Sequence, residues 1–217
     1  NLAGPVDPYT GEWTAMEAAH LLRRATYASN RDTIQEVVDN GLAFTIDQLF
    51  TAKPMPDPPI NYRDDSDPNV PIGSTWVGQT YGNDVNGNRN RSIRGWTLNL
   101  LIDEGIHIRE KMTLFWHNHL VTEGVNDARL KYQYISLIRQ HAIGNFKTLV
   151  EKMTIDPTML RYLNGKDNKV GSPNENYARE LLELFTIGKG DLAGPGDYTF
   201  YTEVDVEELA KALTGWR

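Results

Sequence analysis

Pro173-Asn174-Glu175-Asn176-Tyr177-Ala178-Arg179-Glu180-Leu181-Leu182-Glu183-Leu184-Phe185-Thr186-Ile187-Gly188 decides the fold class. Tyr177, Ala178, Leu181, Leu182, Leu184 and Phe185 make one wide apolar face at helical spacing. Glu175, Arg179 and Glu183 recur on the opposite face at i, i+4 and i+8, where alternating charges support a helix. Asn176 and Glu180 lie in a second polar stripe beside that ladder. Working outward, the same period returns over 106–120, 129–142, 145–154 and 203–214, and no strand-like alternation competes with it.

The ends of the chain follow the same grammar. Thr14-Ala15-Met16-Glu17 is a capping box ahead of Ala18, Leu21, Leu22 and Ala25. Asn30 caps a second helix carrying Ile34, Val37 and Val38 as far as Gly41, and Thr45 opens a third around Ile46, Leu49 and Phe50. At the far end, Thr202 caps a helix with Asp205 three residues on and Gly215 as its stop. Val206, Leu209, Ala210 and Leu213 form a stripe on it that calls for a partner, so the chain reads as part of something longer. Its first residues, Asn1-Leu2-Ala3-Gly4-Pro5, lack an initiator Met and fit processing or truncation.

Between these helices the composition changes. Pro54, Pro56, Pro58, Pro59, Pro68 and Pro71 fall between residues 53 and 90 among many Asn, Asp and Gly, a density that breaks helices. The expectation is an all-α, multi-helix globular bundle, one helical domain over 1–217, with 53–90 as an extended insert or arm and helix resuming near Ser92.

Composition narrows the function classes. The 217 residues hold 22 Lys+Arg against 29 Asp+Glu, a net charge of −7, which speaks against a general nucleic-acid binder. Without cysteine there is no disulfide, no thiolate metal site and no cysteine nucleophile. No apolar run is long enough to read as a transmembrane helix.

Four places carry chemistry. In Phe115-Trp116-His117-Asn118-His119, two imidazoles stand two residues apart. On a regular helix they diverge by about 200°, so sharing one metal requires the helix to break there. His20, His107 and His141 are isolated. Glu175 and Glu180 are the second place: a solvated ion-pair face, or carboxylates meeting a histidine on a facing helix, as bundles build metal sites. Asp84-Val85-Asn86-Gly87-Asn88-Arg89-Asn90 alternates oxygen donors, but Gly87 and Gly95 stand where a calcium loop would not have them, so it reads as an Asn-Gly turn. Arg91 and Arg94, with Arg89 nearby, cluster beside Trp96 as a small patch suited to an anion or a glycan.

Several strings then occur in a telling order. They are Ala19-His20-Leu21-Leu22-Arg23-Arg24-Ala25-Thr26-Tyr27, the histidine string 115–119, and Ile138-Arg139-Gln140-His141-Ala142-Ile143-Gly144-Asn145-Phe146. Asp156-Pro157-Thr158-Met159-Leu160-Arg161-Tyr162-Leu163, the 174–184 string, 201–206 and Ala212-Leu213-Thr214-Gly215-Trp216 follow. Together they resemble the bacterial family of unknown function DUF1800. That resemblance implies a helical protein exported to the periplasm, cell surface or medium, and family members longer than this chain. It also implies a neighbouring protein of sulfatase-like fold as a partner; the alternative partner, read from the 53–90 insert, is another copy of the chain itself. The insert departs from the family's more compact pattern.

Two functional readings follow. In the first, the His/Glu motifs form a buried polar network in a surface or assembly protein. In the second, His117 and His119 hold a divalent transition metal, with Glu180 or Glu175 as ligand or general base of a metal-assisted hydrolase or oxidoreductase.

Overall fold

Local signals place the helix starts. Thr14 and Glu17 close a reciprocal capping box on α1 (Ala15–Ala25). Asn30 accepts the Thr33 N–H at the head of α2 (Arg31–Phe50), whose course breaks at Gly41, where φ is 86°. A side chain would strain that left-handed position, so the break expected between two helices falls on the residue able to make it. In the computed structural model, which describes residues 8–63 and 67–216, α3 (Asn83–Asp103), α4 (Arg109–His119), α5 (Ala128–His141), α6 (Phe146–Thr154) and α7 (Pro157–Tyr162) follow. A 3-10 turn at Gly165–Asp167 leads to α8 (Glu175–Glu183), a small antiparallel hairpin of β1 (Leu192–Gly194) and β2 (Asp197–Tyr198), and α9 (Glu203–Ala212). The fold is all-α in class, as the periodicity indicates. The Asn1–Pro5 stretch lies outside the described residues.

The chain divides into two compact units, residues 1–53 with 100–111 and residues 54–99 with 112–217. In the first, α1 and α2 close on Ala18, Leu22 and Val37, and the Trp13 indole donates to the Val37 carbonyl at 2.9 Å. In the second, the main core gathers Leu120, Tyr134, Ile138, Leu149, Met153, Met159, Leu160, Tyr177, Phe185 and Leu213 from α5 to α9 and their connections. Each such side chain, taken fully from water, stabilises by about 1.5–3 kcal/mol.

Two expectations need correction. Residues 83–90 are the first turns of α3, not an Asn-Gly loop, so helix resumes nine residues before Ser92. Local turn propensity loses there to tertiary packing: Val85 and Ile93 are buried, and the Asn86 side chain holds the Asn126 carbonyl and the Ala128 N–H. The proline-rich stretch before it runs without helix among its described residues, as an extended insert does, and its end is anchored. Val70 and Trp76 enter a core with Ile93 and Ala128, and the Trp76 indole donates to Ser92 at 3.0 Å. The stripe on α9 also has its partner. Val206 and Ala210 are fully buried with Ala178 of α8 and Tyr201.

Candidate functional site

The histidine turn sits at the end of α4, which stays regular through His119: the Leu120 N–H still bonds the Trp116 carbonyl at 2.8 Å. The two imidazoles therefore diverge, and each meets its own partner. His117 Nδ1 is 3.2 Å from the Tyr134 hydroxyl, whose single hydrogen goes to the Leu120 carbonyl. The hydroxyl must then accept, which fixes a proton on His117 Nδ1. Burial pushes the pKa of His117 down, so this ring is neutral at pH 7. His119 Nε2 lies 2.9 Å from the Phe185 carbonyl, which can only accept, so Nε2 carries the proton. The His119 ring packs edge-on to Trp116 and among Phe146 and Phe185.

The two glutamates stand apart from these rings. Glu175 is in the first turn of α8, exposed, with Arg179 3.8 Å away. Arg179 spends its fork on Glu203 at 2.6 and 2.7 Å, so the expected ladder along α8 becomes a tie between α8 and α9. Its last member, Glu183, takes Lys189 and the Tyr201 hydroxyl instead. Glu180 is half-buried, with Oε2 enclosed and unbonded. Among the described residues no hydrogen bond or ion pair joins Glu175 or Glu180 to His117 or His119, and no three His, Asp or Glu side chains are grouped to hold a metal ion.

The basic-aromatic patch splits in two. Arg91 and Trp96 line a groove of about 640 Å³ with Pro58, Pro59, Tyr62 and Asn99. The Trp96 indole is oriented by the Asp57 carbonyl at 2.7 Å. Arg94 faces a different groove beside Lys131 and Leu98. Arg89 is buried outright.

A buried acid–imidazole pair in the first unit went unread in the sequence. Glu104 Oε1 accepts the Glu110 N–H and lies 3.5 Å from His107 Nδ1, while Oε2 is enclosed without a partner. His107 Nδ1 accepts the Arg109 N–H at 3.0 Å, so Nε2 bears the proton and donates to the Thr51 carbonyl at 2.7 Å. Burial, reinforced by the charge of Glu110, raises the Glu104 carboxyl to about 7. Burial likewise lowers His107. The two residues are three apart, yet α3 ends at Asp103 and Gly105 turns the chain at a φ of 69°, so helical spacing gives no warning of the pair.

No curated protein and no solved structure matches the chain. A family model does, over residues 20–217, a span that takes in the histidine turn, the buried acid pair and both grooves. The chain belongs to the family described as Protein of unknown function (DUF1800).

Proposed function

We propose that this chain is an exported surface or assembly protein without catalysis at its histidine turn, in which the His and Glu motifs fix helix packing. The observation that carries the reading is the separate engagement of the two imidazoles, His117 by Tyr134 and His119 by the Phe185 carbonyl. Each spends its ring proton on a group that also belongs to the core, as buried polar groups do when their role is structural. The binding function of such a protein lies on its surface. The groove of Trp96, Tyr62 and Arg91 offers aromatic and hydrogen-bonding contacts of the kind a glycan uses.

Elemental analysis of the purified protein tests the reading. The expected result is no stoichiometric transition metal, with His117→Ala and His119→Ala each costing about 1–3 kcal/mol of stability through the partner left unbonded. One metal per chain, lost in either variant, would instead support the metal-assisted reaction.

A further inference from the structure

A cleft of about 610 Å³ in the second unit is lined by Tyr81, Glu123, Asp127, Arg129, Arg161 and Lys166. Its floor is built around one carboxylate. Asp127 caps α5, is buried, and accepts from Arg129 three times: the backbone N–H at 3.0 Å, Nε at 3.2 Å and Nη2 at 2.8 Å. Those bonds hold its carboxyl below the usual carboxylate range, so it stays charged. The Arg129 guanidinium also stacks on Tyr81, 3.7 Å from the ring centroid. Held by an acid on one edge and a ring on one face, this planar group has little rotamer freedom left to lose.

Its donors are only partly used. Nη1 of Arg129 has no hydrogen bond among the described residues, and Arg161 approaches the same Asp127 only to 4.0 Å, with no hydrogen bond of its own. Both arginine side chains are half exposed. Lys166 is paired with Asp167 at 3.1 Å and adds little free charge. Two guanidinium groups thus converge on one acid that consumes a single edge of one of them. A planar carboxylate is the group that matches such unspent forks, bidentate on one and charge-paired to the other. Glu123 disfavours a second negative charge, which separates a monocarboxylate from phosphate.

We propose that this cleft binds a small ligand through a single carboxylate, presented by an acidic sugar or by the end of a peptide. The assignment is independent of the histidine turn. Titration of the full chain at pH 8 with glucuronate and N-acetylglycine, against glucose and N-acetylglycinamide as neutral counterparts and inorganic phosphate, mostly dianionic at that pH, decides it. The expected result is saturable binding of one or both carboxylates, the tighter one identifying the source, and at least tenfold weaker binding in Arg161→Gln with an unchanged melting temperature. Arg129→Lys, which keeps the charge but loses the fork, weakens the same ligand. Binding of the neutral compounds as tight as the acids, preference for phosphate, an unaffected Arg161→Gln, or no saturable binding of either acid would each overturn the proposal.

Discussion

Glu104 is a carboxyl that burial moves well away from its behaviour in water. Its carboxyl moves from an ordinary value near 4.5 to about 7 because ionisation would place a charge among enclosed groups with one oxygen unbonded. Between those values the folded chain keeps a proton that the unfolded chain has released, so this residue's contribution to stability falls as the pH rises through that window. His107 acts in the opposite sense, since its lowered pKa costs stability as the pH drops below its ordinary value near 6.5. Glu104→Gln keeps an acceptor for the Glu110 N–H and removes the ionisation. Its stability relative to the parent should therefore grow from pH 5 to 8, read by chemical denaturation across that range, and a constant difference would show that Glu104 does not titrate there. Both residues are plain in the sequence as types. Their meeting is not, because it depends on the turn at Gly105 and on the Thr51 carbonyl, 56 positions away from His107 in the chain.

Among the elements, the proline-rich connection and α3 define each other. Arg89 donates from Nε to Asp67 at 2.6 Å and from Nη2 to the Thr80 carbonyl at 2.8 Å, with both charged side chains almost wholly enclosed. Breaking such a pair leaves an uncompensated buried charge, so Arg89→Ala should cost about 3–5 kcal/mol in denaturant unfolding. Replacing both partners by apolar residues of like volume, Arg89→Met with Asp67→Leu, should cost much less. Equal losses in the two would place the energy in packing instead of charge. The helices with clear period and caps, α1, α5, α6, α8 and α9, were legible from local sequence because their signals are local. The start of α3 was not. Asn83, Asn86, Gly87 and Asn88 favour turns when isolated, and what outweighs them is contact with Trp76 and Ala128 from elsewhere in the chain. The unpartnered stripe foreseen on α9 is covered by α8 and Tyr201 for the same reason: periodicity names a face that must be buried, never the surface that buries it.

For the molecule as a whole, the acidic balance of −7 and the absence of cysteine frame the surface chemistry, and among the described residues no helix is long and apolar enough to cross a membrane. Within that frame the His and Glu strings stood out by residue type, and their roles turn on direction. The regular course of α4 sends His117 to Tyr134 and His119 to the Phe185 carbonyl, and α8 ties Glu175 and Glu183 to neighbouring cations. On the proposed reading these imidazoles are packing groups whose ring protons are set by their partners. Nitrogen-15 NMR of the histidine rings, recorded before and after addition of Zn²⁺, tests it most directly. His117 should carry a proton on Nδ1, facing Tyr134, and His119 one on Nε2, facing the Phe185 carbonyl, with neither pattern moved by the metal. A zinc-dependent shift of both rings at one equivalent would contradict it.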